Sequence, residues 1–99
     1  MSTLYVTEYE DLAFDGRGHV IQAGKEPAVT TQKVTFTGTH GESAAFNSRT
    51  NFIRIYADGA GYLAFGAAPV AVTTTGTPIS ASTAEYFGVI PGQKVSAVS

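Results

Sequence analysis

Cysteine is absent from the 99-residue chain. No disulfide staple, thiolate nucleophile or cysteine-based zinc site can form without it, and the absence suits assembly in a reducing cytoplasm. Charge is scarce as well. Charged residues make up 14% of the sequence against 43% hydrophobic, where soluble domains ordinarily carry about 25% charged residues. A net charge of −2 with six Lys and Arg, none of them clustered, lacks the concentrated positive potential that a phosphate backbone requires. Nucleic acid is therefore not expected as a partner. Long apolar runs are missing too: nothing approaches the ~20 residues of a membrane span. The opening MSTLYVTEYED turns acidic early and has no basic stretch, so it does not read as a signal peptide. A soluble chain without a membrane partner is expected.

Helix formers are few, with only three Leu (Leu4, Leu12, Leu63) and three Lys. Thr, Val and Gly are plentiful instead, and β-branched residues suit a pleated sheet better than a helix. The one short helical candidate, EYEDLAF, is soon cut off at Gly16. Strand-like runs alternate with turn signals: LYVTEY (Leu4–Tyr9), VIQAG (Val20–Gly24), AVTTQKVTFTG (Ala28–Gly38), SAAFN, NFIRIYAD (Asn51–Asp58), YLAFG (Tyr62–Gly66), AEYFGV (Ala84–Val89) and KVSAVS. THGES reads as a loop, and AAPVAVTTTGTP as a loop or weak edge strand limited by Pro69 and Pro78. Val34 and Phe36 share one face, with Lys33, Thr35 and Thr37 on the other; Ile53, Ile55 and Ala57 oppose Arg54, Tyr56 and Asp58. Roughly six to eight short strands at regular spacing predict an all-β chain, a single-domain antiparallel β-sandwich or barrel spanning residues 1–99. A domain of this length has a radius of gyration near ~13 Å.

The first thirty residues differ from the rest. Glu8, Glu10, Asp11 and Asp15 sit among Tyr5, Tyr9 and Phe14, with glycines following. This segment is read as an extended N-terminal arm packing on a neighbouring subunit, or as a first strand and a long surface loop.

The stretch ADGAGYLAFG contains Gly59-Ala60-Gly61-Tyr62-Leu63-Ala64, which fits the G-x-G-x-x-A spacing of a dinucleotide-binding turn. That turn works only when a helix follows and presents its N-terminal N–H groups to the pyrophosphate. Here Pro69 and a Thr/Gly-rich loop follow, and Tyr62–Gly66 alternates like a strand. A β-hairpin is expected instead, with Gly59-Ala60-Gly61 as a three-residue loop and Gly61 in the left-handed position. Ala57 then opposes Leu63 and Ile55 opposes Phe65, gathering the apolar side chains on one face; a one-residue slip would scatter them.

Other chemistry finds thin support. His19 and His40 are glycine-flanked loop residues without a paired-histidine spacing, and zinc needs three or four ligands. Ser43 near His40 suggests a nucleophile and base, but no G-x-S-x-G elbow is present. The carboxylates Glu8, Glu10, Asp11 and Asp15 fall short of the oxygen pattern of a calcium loop. On an extended chain Glu8 and Glu10 share a face, read as solvated or as a polar interface. Neither a cofactor nor a small-molecule substrate is expected, and the chain is not expected to be an enzyme. The tyrosines remain: Tyr5 and Tyr9 share a strand face, Tyr56 and Tyr62 are candidates for sharing another, and Tyr86-Phe87 are adjacent. Tyrosine suits interfaces because it joins contact area to a polar tip, although any one of them can simply cap the edge of a core.

The order LYVTEYEDLAFDGRG, KEPAV, SAAFNSRTNFIRIYADGAGYLAFGAAP and EYFGVIPGQKVSAV resembles small virion accessory proteins of tailed phages and prophages, the cement or decoration proteins of the head shell. The shared words are strand and turn words. The resemblance implies a jelly-roll-like β-sandwich that forms a homodimer or homotrimer and clamps neighbouring copies of the major capsid protein. It implies a place on the capsid surface of the virion, assembled in the host bacterial cytoplasm. The expected interface residues are Tyr5, Tyr9, Glu10, Asp11, Arg54, Tyr56 and Tyr62. A tail, neck or fibre component is the alternative within virions, and a carbohydrate-binding β-sandwich using Tyr56 and Tyr62 is the alternative outside them.

Overall fold

Leu4, Val6 and Glu8 leave an extended chain on one side, and Tyr5 and Thr7 leave it on the other. That alternation starts the first of two sheets. A computed structural model describes residues 2–14 and 16–99, in which there are ten strands and no helix. The strands are β1 (Ser2–Tyr9), β2 (Leu12–Phe14), β3 (Val20–Gly24), β4 (Thr30–Phe36), β5 (Gly41–Glu42), β6 (Phe52–Ala57), β7 (Gly61–Gly66), β8 (Thr77–Ile79), β9 (Thr83–Gly88) and β10 (Lys94–Val98). Four make a first sheet in the order β4-β1-β6-β9, and four make a second in the order β5-β10-β7-β8. All pairings are antiparallel, and β2 and β3 form a separate two-stranded ribbon. Asp15, one of the four acids of the opening segment, lies outside the described residues.

The two sheets share one core, a sandwich-like arrangement. Leu4, Val6, Val34, Phe36, Ile53, Ile55 and Ala57 enter it from the first sheet, and Leu63, Ile79, Val95 and Ala97 from the second. Phe46 fills in from the connection between β5 and β6. The radius of gyration is 13.4 Å. The buried faces of β4 and β6 are those the alternation predicts.

Four expectations are corrected. The β6–β7 hairpin does not form: β6 pairs with β1 and β9, whereas β7 pairs with β10 and β8 in the other sheet. Residues 58–60 therefore cross between sheets. Asp58 stays tied to β1, its N–H donating to the Thr3 carbonyl (3.1 Å) and its Oδ1 accepting from the Thr3 N–H (2.7 Å). Gly61 is not left-handed; positive φ occurs instead at Gly18, Gly66, Gly92 and Ser82. It is needed for close approach, because a Cβ there would sit 2.6 Å from the Val98 carbonyl oxygen and 2.9 Å from the Phe36 ring. Phe65, expected in the core, is 38% exposed and packs on Phe87 at its margin, with ring centroids 5.2 Å apart.

Second, of the two readings of the start of the chain the first strand holds for β1, while the short helical candidate beside it does not. β1 is an interior strand between β4 and β6, with Leu4 and Val6 fully buried; only the β2–β3 ribbon stands outside the two sheets. EYEDLAF is not helical but the end of β1, a bend and β2. Third, SAAFN is irregular, and the short strand β5 falls instead within THGES. Fourth, Glu8 and Glu10 do not share a solvated face. Glu10 is exposed at the bend, while Glu8 points inward beside Leu4 and Val6 and is 1% exposed.

Glu8 is held by neutral donors. Its Oε1 accepts from the Thr50 hydroxyl (2.8 Å) and the Asn47 N–H (2.9 Å), and its Oε2 accepts from the Gln32 side-chain amide (2.9 Å). Gln32 in turn accepts from the Ala44 N–H at 3.0 Å. Among the described residues, every buried side-chain nitrogen and oxygen has a hydrogen-bond partner. Removing this acceptor leaves several donors unpaired, so Glu8→Ala is expected to lower the unfolding free energy by roughly 3 kcal/mol or more. Glu8→Gln, which keeps one oxygen but faces Gln32 with a second amide, should fall between, as read by urea denaturation. In the same assay Gly61→Ala should cost about 1–3 kcal/mol from overpacking, whereas Gly38→Ala, whose added Cβ meets nothing within 4 Å, should be near neutral.

Candidate docking face

The outer side of the first sheet carries a row of aromatic and basic side chains. Register sets it: Tyr5 lies opposite Lys33 on β4 and opposite Tyr56 on β6. One pair along, Arg54 lies between Thr7 on β1 and Tyr86 on β9; next, Phe52 lies opposite Tyr9. Directly opposed side chains on one face of an antiparallel pair stand close enough to touch. The Tyr5 and Tyr56 rings are 6.1 Å apart, and the Lys33 ammonium sits 5.5 Å above the Tyr5 ring. Tyr9 stacks on Phe52 at 5.2 Å and 16°, and Phe52 reaches Tyr86 at 6.3 Å. Tyr5, Arg54 and Tyr56 are half-buried, Lys33 is exposed, and Tyr86 is 46% exposed.

One end of this face is roofed. A Cβ on Gly24, at the end of β3, would collide with the Tyr9 ring, so the foot of the ribbon lies directly on that tyrosine. The Tyr9 hydroxyl donates to Glu26 Oε2 at 2.8 Å. Burial, then the hydrogen bond and negative charge of Glu26, push the Tyr9 phenol up to about 12, while Arg54 pulls the other way.

Of the seven residues expected at an interface, the structure gathers Tyr5, Arg54 and Tyr56 on the open part of this face. Tyr9 shares the face but is buried under the ribbon and is unavailable for docking. Glu10 and Asp11 stand apart at the bend after β1, where with Lys25, Glu26 and Arg49 they line a cleft of about 250 Å³. Tyr62 belongs to the other sheet, opposite Val98 and Pro78. It therefore shares no face with Tyr56, and the paired-tyrosine platform envisaged for a sugar does not exist. Tyr62 instead borders an open cleft of about 850 Å³ with Pro78, Ile79, Thr83 and Glu85. Lys33, Phe52 and Tyr86 were not among the expected interface residues.

No protein family, characterised protein or solved structure matches the chain.

His40 and Ser43 are not paired as a nucleophile and base. His40 Nδ1 lies 3.1 Å from Ser96 Oγ rather than against Ser43. Ser96 is 0% exposed and accepts from the Ala71 N–H at 3.1 Å. Ser43 is also buried; its hydroxyl donates to the Ala44 carbonyl and accepts from the Val95 N–H. Both serines pin loops to the second sheet. Among the described residues, no group of three or more His, Asp or Glu converges as a metal site.

The Tyr9 shift has a definite sign. A phenol whose folded pKa lies above its unfolded value keeps its proton longer when folded. Its contribution to stability is thus complete below pH ~10 and is lost as pH rises from about 10 through about 12. Ultraviolet titration should show one of the five tyrosines ionising near 12. That late step should vanish in Tyr9→Phe; its survival would assign the slow phenol elsewhere.

Proposed function

We propose that this chain is a non-enzymatic cement or decoration protein of a bacteriophage head. On this reading it lies on the capsid surface and binds the major capsid protein once the shell has assembled. The observation that carries the reading is the open outer face of the first sheet, where Tyr5, Arg54, Tyr56 and Tyr86 lie in register on adjacent strands. Tyr and Arg are among the residues that most often dominate protein–protein binding energy. The sequence resemblance to head-shell accessory proteins points the same way. Repeated crossings between sheets, with β6 and β9 in the first and β7 and β10 in the second, support the jelly-roll-like reading of the sandwich. The β2–β3 ribbon, outside both sheets, is the part of residues 1–30 suited to act as an arm on a neighbour.

The mechanism is linkage. A protein that binds the assembled lattice but not free subunits stabilises the lattice by mass action. Modest contacts repeated over a symmetric shell add through avidity.

Purified heads stripped of the protein should bind it saturably and burst at a higher temperature once it is restored, while free capsid subunits should not retain it. Arg54→Ala and Tyr56→Ala should each weaken head binding roughly tenfold or more, as hot-spot truncations do. Recovery of the chain with tails rather than heads would overturn the shell assignment in favour of a tail, neck or fibre part.

A further inference from the structure

The four outer edges of the two sheets are not equally defended. An exposed edge strand offers unpaired N–H and C=O groups, which proteins blunt with short strands, Pro, Lys or a covering segment. In the second sheet β5 has two residues, and β8 has three, one of them Pro78. In the first sheet β4 carries Lys33 and is covered by the segment after it: Gly41 is packed against the Thr35 carbonyl, and Ala44 is hydrogen-bonded to Gln32. The remaining edge is β9. It has six residues, TAEYFG, with Glu85 as its single charge and no Pro, Lys or Arg, and its Gly88 has open space where a Cβ would be.

The direction of its free groups is fixed by its partner. Val89 N–H donates to the Asn51 carbonyl at 3.0 Å, one step beyond the Phe52–Gly88 pair. Bonded and non-bonded pairs alternate in an antiparallel ladder. Thr83, Glu85 and Phe87 therefore bond toward β6, and Ala84, Tyr86 and Gly88 direct their N–H and C=O groups outward.

We propose that β9 pairs antiparallel with β9 of a second copy of this chain, across a two-fold axis at Tyr86, to form a dimer with a continuous eight-stranded sheet. Registers centred on Glu85, Tyr86 or Phe87 keep like faces together. The one on Glu85 leaves Gly88 opposite Ser82, outside the strand, and sets two carboxylates directly opposite each other, which like charges disfavour; the one on Phe87 leaves Ala84 opposite Ile90, also outside it. The one on Tyr86 opposes Tyr86 with its own copy, Ala84 with Gly88, and Glu85 with Phe87. Every outward N–H and C=O of the edge is then paired. Glu85 lines the open cleft beneath the edge, so its charge stays in contact with water. The axis also joins the two aromatic faces into one, because Tyr86 belongs to both face and edge. The dimer requires no shell, so its failure and the failure of the shell reading are separable.

Sedimentation equilibrium of the purified chain should give twice the chain mass, and Tyr86→Lys, which sets two ammonium groups across the axis, should return a folded monomer. A monomeric or trimeric wild-type chain would overturn the dimer. The register is tested by single cysteines in a chain that has none. In the Tyr86 register, the two copies of residue 86 stand about 5.5 Å apart at Cα, inside the roughly 4.4–6.8 Å range of disulfides. The two copies of residue 85 are diagonal, about 7–8 Å apart. Tyr86→Cys should therefore crosslink readily under mild oxidation and Glu85→Cys should not; the reverse result would overturn this register.

Discussion

A carboxylate placed where an apolar side chain is expected holds the two sheets together at one end. Glu8 continues the inward series of Leu4 and Val6, and its partners are hydrogen-bond donors. Its oxygens collect Asn47, Thr50 and Gln32, and Gln32 fixes Ala44. The segment 43–47 is thereby laid along the first sheet without being a strand of it. The same segment bonds the second sheet and the turn that leads into it, with Ser43 N–H donating to the Val95 carbonyl and Phe46 N–H to the Gln93 carbonyl just before β10. An irregular stretch inside a sandwich would otherwise leave backbone groups unpaired, which is costly where water is excluded. Glu8 makes the irregularity tolerable, and Phe46 reaches the core because of it.

The network also explains why that segment misleads a reading by pattern. SAAFN has the composition of a strand, but its hydrogen bonds go to side chains from one sheet and to backbone from the other. The signal for Glu8 was present in LYVTEY, whose strict alternation puts residue 8 on the side of residues 4 and 6. An acidic residue reads as solvated when its donors, here residues 32, 47 and 50, are far away in sequence. Alternation carries side-chain direction well; it carries nothing about polar partners supplied from elsewhere.

The crossing at residues 58–60 shows the same limit at the level of topology. Gathering Ile55, Ala57 and Leu63 on one core is a correct demand, but two arrangements meet it. The strands can pair edge to edge in a hairpin, or face each other across the core from different sheets. Local sequence does not separate them. The Asp58–Thr3 pairing and the tight fit of Gly61 against Val98 and Phe36 do, and each needs a residue distant in the chain. The docking face inherits this. Tyr5, Arg54 and Tyr56 converge because β1 and β6 are neighbours, whereas Tyr62 was lost to the other sheet by the crossing. Tyr86, visible in the sequence only as half of an aromatic pair, becomes central because β9 returns to flank β6.

Scarcity of charge ties these features together. Charged side chains are a common way to keep sheet edges from sticking, and this chain has few of them. It relies on short strands at β5 and β8, a proline at β8, and the covering segment with Lys33 at β4. These devices are absent from β9, whose one charge is Glu85, and it is there and on the tyrosine-bearing face it borders that we place the proposed contacts. Tyrosine is suited to such a surface, since its ring offers large contact area while losing only two side-chain torsions on binding. Face and edge meet at one residue. Pairing at the edge would therefore double the face without adding a residue to it, and two linked weak contacts hold more tightly than either does alone.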